Sequence, residues 1–201
     1  MKILETRTAP NPRRVRIFLA EKGIVVPYED YDIAGLKTPE FTSFNPFQRV
    51  PVLVLDDGSA ISETMAICRY FEAQQPEPPL FGRTPKEQGL VEMWNRRAEL
   101  NLMLPVAQAF RHLHPAMAKL EVPQVSAWGE ANKPKALEAL AKFDGALADS
   151  RYVAGDTFSV ADITLLVAID FMRPARIERP ASLTHVARWY DEVKARPSSK
   201  A

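Results

Sequence analysis

Residues 45–72, NPFQRVPVLVLDDGSAISETMAICRYFE, form one strand–turn–strand–helix unit when read for pattern alone. Val52–Leu55 is an unbroken apolar run of the length of a buried strand. Asp57-Gly58 suits a tight hairpin turn, where the backbone needs positive φ, and Ser59–Ile61 brings the chain back alongside. A helix is predicted over Glu63–Gln75, because Ala66, Ile67, Tyr70 and Phe71 recur at the spacing of one helical face. Upstream, Lys2–Glu5 is a short strand, followed by the turn-rich TRTAPNP. Asn11 before Pro12 predicts a helix start, with asparagine as N-cap and proline at the first helical position. Val15, Phe18 and Leu19 continue that helix and Gly23 ends it. Val25–Tyr31 reads as a second strand with Pro27 at an edge, and residues 38–44 as a short helix. The order β-α-β-α-β-β-α describes a mixed sheet with helices over its faces.

Downstream, four of the 17 prolines fall in QQPEPPLFGRTP, which cannot continue a helix and reads as a stiff extended linker. Past it the pattern is helical almost throughout. A long amphipathic helix is predicted from about Lys86 to Leu113, bent at Pro105, and a second from about Pro123 to Ala148, kinked at Pro134. In RYVAGDTFSVADITLLVAIDF, Ser159 and Asp162 are spaced as a capping box, with Phe158 and Ile163 at the staple positions. The helix that follows is apolar nearly all round, so it belongs in the centre of this part. A last helix carries Val186, Trp189, Tyr190 and Val193 and stops at Arg196-Pro197. The expected division is residues 1–80, a linker at 81–86, and residues 87–201.

Composition narrows the function. With 26 basic and 25 acidic side chains among 201 residues, the net charge of +1 gives no electrostatic footprint for nucleic acid or a membrane surface. No apolar run reaches the length of a membrane span, and the N-terminus turns polar after Leu4, unlike a signal peptide. A reducing cytoplasmic setting follows as the expectation. The single cysteine, Cys68, excludes an internal disulfide or a Cys-x-x-Cys pair, and three histidines leave little for a metal centre. His112 and His114 read as a helix-end surface pair, Arg13, Arg14 and Arg16 as a solvated helix face with one internal pairing, and Cys68 as a buried small hydrophobe.

Three motifs in order, PNPRRVRIFLAEKGI at 10–24, the 45–72 stretch and YVAGDTFSVADI at 152–163, resemble the cytosolic glutathione S-transferase superfamily over nearly the whole chain. The likeness is to bacterial, theta-, zeta- and nu-like members, with no class assigned. It implies an α/β thioredoxin-like domain that binds glutathione and an all-α helical bundle that binds the electrophile. It further implies a cis bond at Val50-Pro51, whose backbone pairs with the cysteinyl part of glutathione as a short extra strand. Glu63 is implied to pair with the γ-glutamyl ammonium, and Thr64, with the N–H groups at the helix start, to hold its carboxylate. Gln48 and Arg49 are implied as contacts to the glycyl end.

A Tyr donor to the thiol is absent, and Ala9 and Pro10 stand where a catalytic serine is common; Asn11 falls near the catalytic Cys position of the beta class. Thr8 and Asn11 are the remaining candidate donors. Trp94, Arg97, Asn101 and Leu104 on the long helix are candidates for the electrophile pocket, which the family places between its domains. No tightly bound cofactor is implied: glutathione is the co-substrate and a small hydrophobic electrophile its partner, in a two-fold homodimer. The chemistry expected is transfer of glutathione to the electrophile. A glutathione-dependent disulfide reductase or peroxidase, a zeta-like isomerase, and a non-enzymatic binding or assembly module are the alternatives.

Overall fold

In the computed structural model, which describes residues 1–201, β1 (Lys2–Glu5) is the strand about which the first unit is organised. It pairs in parallel with β2 (Tyr28–Asp30) and antiparallel with β3 (Val52–Val54), and β3 pairs antiparallel with β4 (Ala60–Ser62), giving the order β2-β1-β3-β4. Helix α1 (Pro10–Lys22) makes the crossover from β1 to β2. It ends at Gly23, whose φ of 66° is the left-handed conformation that glycine adopts without a Cβ penalty. Helix α2 (Pro39–Phe44) is capped by Thr38, and α3 (Thr64–Gln74) follows β4.

Alternation along the strands sorts the core. Leu4, Val52 and Val54 share one face, covered by Phe41 of α2, with Tyr31, Leu36, Phe44 and Val50 packed around them. Ile3 and Leu53, paired with each other, lie on the opposite face and are fully buried. Their cover comes from α1 and α3, which pack together through apolar residues such as Val15, Phe18, Leu19, Ile67 and Phe71.

The second strand is shorter than the predicted Val25–Tyr31. Pro27 has no N–H for the ladder, so only its carbonyl is used, accepting from Ile3 N at 2.9 Å, and pairing begins at Tyr28. The start of α1 also differs. Ala9 is the N-cap and Pro10 the first helical residue, which puts Asn11 inside the first turn. The solvated basic face expected on α1 is overturned at Arg14, which is 2% exposed, while Arg16 makes an ion pair with the buried Glu5, in keeping with the one internal pairing expected among these arginines.

Residues 81–196 form a second unit, entirely helical, while the last five residues pack with the first unit rather than with the helices that precede them. Helix α4 (Pro85–Arg97) opens with a capping box between Thr84 and Glu87. It runs on through a π-helical segment at Ala98–Met103 into α5 (Leu104–Leu113), with Pro105 in the first turn of α5. Helix α6 (Ser126–Leu147), with Pro134 inside it, packs along α5. Gly129 permits that approach, since a Cβ there would lie 2.6 Å from the Leu113 side chain. Helix α7 (Val160–Met172) is buried on every side except at Asp170 and Phe171, and α8 (Thr184–Lys194) completes the unit. The capping box is present: the Ser159 hydroxyl and N–H both bond to Asp162 Oδ2 at 3.0 Å. No helix is long and apolar enough to cross a membrane.

Candidate active site

Strand register brings the candidate segments of the first unit together. Leu4 of β1 pairs with Val52 of β3, and Val52 pairs with Ser62 of β4. The loop leaving β1 (Thr6–Ala9), the cis Val50–Pro51 bond entering β3 and the Glu63-Thr64 step leaving β4 therefore meet at one end of the sheet. The N-termini of α1 and α3 open at the same end. Neither has a side-chain cap, whereas α2 has the Thr38 hydroxyl. Uncapped helix starts leave backbone N–H groups for another acceptor, and the dipole makes that acceptor preferably an anion.

At α1 the supply of donors is restricted. Pro10 and Pro12 have no N–H, and the Ala9 N–H is used by Thr6 O at 2.9 Å, so the first turn offers the Asn11 N–H. No acidic residue in that turn offsets the positive end of the helix. The Asn11 side chain is exposed and its Oδ1 accepts from Arg14 Nη1 at 3.3 Å, so its amide N–H₂ points away from that bond and can donate elsewhere. Thr8 is exposed at the tip of the Thr6–Ala9 turn.

At α3 the N-cap is Glu63, with φ 73°, a left-handed conformation unusual for a residue with a side chain. Strain of this kind concentrates at ligand-binding sites. The Glu63 carboxylate is exposed and does not cap its own helix, and Thr64 behind it is buried. Gln48 is likewise at positive φ, 54°, in the loop that leads to Val50–Pro51, with Arg49 exposed beside it.

One residue of this site was not singled out from the sequence. Asn45 is 2% exposed; its Oδ1 accepts from Phe47 N at 3.1 Å and its Nδ2 donates to Arg49 O at 2.8 Å, so one side chain staples both ends of the loop that carries Gln48. The signal was present: asparagine before proline, followed by a turn, commonly bonds the backbone two residues on.

In the helical unit, Trp94, Arg97 and Asn101 line one cleft of about 550 Å³. Its other wall is α6, with Lys135, Ala139, Lys142 and Phe143. Trp94 lies 5.7 Å from the Phe143 ring, and the Arg97 guanidinium sits 4.6 Å over the Trp94 ring. Leu104, expected with them, does not line this cleft; Pro105 does. Pro105 lies four residues after Asn101 and eight after Arg97, on the same helical face.

Two of the three histidines, His112 and His114, accept from backbone N–H groups. His112 Nδ1 accepts from Val125 N at 3.0 Å and His114 Nδ1 from Ala116 N at 3.2 Å. Cys68 is fully buried, and burial pushes its thiol pKa up to about 12, Arg14 pulling it down and Glu72 up by lesser amounts. A neutral, enclosed thiol is a poor nucleophile. Iodoacetamide at pH 8 is therefore expected to leave the native protein unlabelled and to label it in urea; rapid native labelling seen by mass spectrometry would contradict the burial.

The family model described as "Glutathione S-transferase, N-terminal domain" matches residues 8–74, and "Glutathione S-transferase, C-terminal domain" matches residues 129–197. Glutathione S-transferase 2 of Saccharomyces cerevisiae is 40% identical over 205 residues, covering 100% of this chain and 88% of that protein. Glutathione S-transferase 3 of Zea mays is 30% identical, covering 98% and 90%. Among solved structures, Gtt2 from Saccharomyces cerevisiae superposes with a TM-score of 0.95 at 40% identity, covering 100% of this chain and 99% of that one. A glutathione S-transferase domain-containing protein of Marinobacter aquaeolei VT8 gives 0.95 at 39% identity, covering 98% and 99%.

Proposed function

The chain belongs to the glutathione S-transferase family, and on that premise we propose that it binds glutathione in its first unit and activates the thiol for attack on a small hydrophobic electrophile. The observation that carries the reading is the meeting of two uncapped helix starts with the cis Val50–Pro51 segment at one end of the sheet. Glutathione is an extended tripeptide with a carboxylate at each end and a thiol between, and each of its parts has a counterpart there. The Val50 backbone takes the cysteinyl amide as an added strand. The Glu63 carboxylate takes the γ-glutamyl ammonium, and the N–H groups of the first turn of α3, with Thr64, take the adjacent carboxylate. Gln48 and Arg49 take the glycyl carboxylate.

The thiol then faces the start of α1. A free thiol with pKa near 8.5 is only roughly 3% thiolate at pH 7. Donors that bond the anion more strongly than the neutral thiol raise that fraction, tenfold for each ~1.4 kcal/mol. The Thr8 hydroxyl, the Asn11 amide and the lone Asn11 N–H supply such donors. The thiolate attacks an electrophilic carbon, forming a C–S bond as the leaving group departs with its electron pair or the activated double bond takes it up. Trp94, Arg97 and Asn101 in the helical unit are the residues proposed to hold the electrophile.

Isothermal titration with glutathione tests the binding half: a saturable heat is expected, and its absence at millimolar ligand would sink the proposal. Asn11→Ala is expected to lower kcat for an aryl chloride about tenfold while glutathione affinity changes less than about threefold. Equal loss in both would give Asn11 a binding or folding role instead.

A further inference from the structure

Arg7, in the loop between β1 and α1, is held by both of its backbone groups, and the two partners come from different elements. Its N–H donates to Asp30 Oδ1 at 2.9 Å, at the end of β2, and its carbonyl accepts from Arg16 Nη2 at 2.9 Å, on α1. The turn is anchored on either side of Arg7, with Thr6 Oγ1 donating to Tyr31 O at 2.6 Å and Ala9 N–H to Thr6 O at 2.9 Å. Arg16 is itself fixed by an ion pair from Nη1 to the carboxylate of Glu5, the last residue of β1, and the two side chains are only 14% and 3% exposed.

A buried ion pair carries a desolvation penalty that an apolar pair of the same volume would not. What this pair supplies, and an apolar one could not, is a planar forked donor that meets a carboxylate with one nitrogen and a loop carbonyl with the other. Tyr28 next to the pair is 42% exposed, and its phenol pKa is pushed up to about 12 by partial desolvation first and then by Glu5, with Arg16 pulling it down.

We propose that Arg16 is a positioning residue for thiol activation: by clamping the Arg7 carbonyl it fixes the turn that presents the Thr8 hydroxyl and the Asn11 donors. This rests on the reading that the start of α1 faces the glutathione sulfur. Sequence pattern does not single Arg16 out: it reads as one of three arginines on a solvated helix face with one internal pairing, its partner unnamed.

The test is the thiol pKa of glutathione in the binary complex, followed by thiolate absorbance across pH, together with kcat and KM for glutathione. In Arg16→Met, which keeps the volume, the bound thiol pKa is expected to rise by about one unit, lowering the thiolate fraction and kcat by roughly three- to tenfold at neutral pH, more the higher the wild-type value. KM for glutathione is expected to stay within about threefold. Asp30→Ala removes the other half of the clamp at an exposed position, and its bound thiol pKa is expected to move in the same direction; this variant decides the matter if Arg16→Met does not fold. A bound thiol pKa unchanged in either folded variant, with the wild-type value below that of free glutathione, overturns the role of Arg16 and leaves the proposed site standing. A wild-type complex whose thiol titrates like free glutathione overturns the site reading itself, and this inference with it.

Discussion

Asp162→Ala is expected to remove about 3–5 kcal/mol of folding stability, a fifth or more of what a domain commonly has. The carboxylate is fully buried and accepts four hydrogen bonds: Oδ1 from Val153 N at 2.9 Å and from Trp189 Nε1 at 2.8 Å, and Oδ2 from the Ser159 N–H and hydroxyl at 3.0 Å. Burial raises its pKa, and each of those donors lowers it. Three of the donors are fixed N–H groups in the interior, and an unpaired buried donor costs about 1–3 kcal/mol. The Ser159 hydroxyl can rotate, and a water in the vacated space would recover part of the loss, which sets the range near the lower end of the sum.

The same substitution unties three pieces at once, since Val153 belongs to the loop before α7, Ser159 starts α7, and Trp189 is on α8. Asp162→Asn is the control for shape. Its amide would turn an N–H₂ toward two of the existing donors, so it should cost nearly as much as alanine although it fills the same volume. Urea unfolding measures both variants. A loss below about 1 kcal/mol for Asp162→Ala would mean that the network re-forms without the carboxylate, and the box would then be no more than a helix cap.

That box was legible in the sequence because it is local: two polar residues three apart, flanked by Phe158 and Ile163, specify their own geometry. Strands β1, β3 and β4, the hairpin at Asp57-Gly58 and the helices after residue 85 were legible for the same reason, each being a period or a turn dipeptide. What was lost depended on distant partners. Asn11 before Pro12 carries the pattern of an N-cap, yet Pro10 supports a helical start as well, and the helix begins at Pro10 with Ala9 as its cap. Three arginines at helical spacing look solvated until Glu5, eleven residues from Arg16, is found buried beside it. The choice of Pro105 over Leu104 for the cleft depends on packing, and the α6 wall of that cleft is thirty or more residues from the α4 wall. Gln48 and Glu63 take backbone conformations that sequence reading reserves for glycine. The proposed site thus reads in the sequence as a set of motifs, while the loops that carry it are held by residues whose contacts only the packing shows.

Asn45 is the clearest of these, and Asn45→Ala is expected to weaken glutathione binding about 30-fold, or ~2 kcal/mol, with kcat at saturating glutathione little changed. The argument starts from the loop. Residues 45–49 connect the end of α2 to Val50–Pro51, and their backbone is closed by Gln48 N–H bonding to Asn45 O at 3.0 Å. That single bond does not fix Gln48 at a φ of 54°, which an ordinary side chain disfavours. The Asn45 side chain adds two bonds, to Phe47 N and Arg49 O, on either side of Gln48, and both are sheltered because Asn45 is buried. Without them the strained conformation is one of several, and binding must then draw it from that mixture, which lowers apparent affinity by the fraction that remains competent. Residues acting at the start of α1 are untouched, so turnover of the bound complex is preserved. Asn45→Asp separates the two bonds, since it keeps the acceptor for Phe47 N but sets a carboxylate oxygen against the Arg49 carbonyl; it should fall at least as far as alanine. If calorimetry gives Asn45→Ala a glutathione affinity within about threefold of wild type, the loop holds its shape without the staple, and Gln48 and Arg49 are either pre-set by other contacts or not part of the glutathione site.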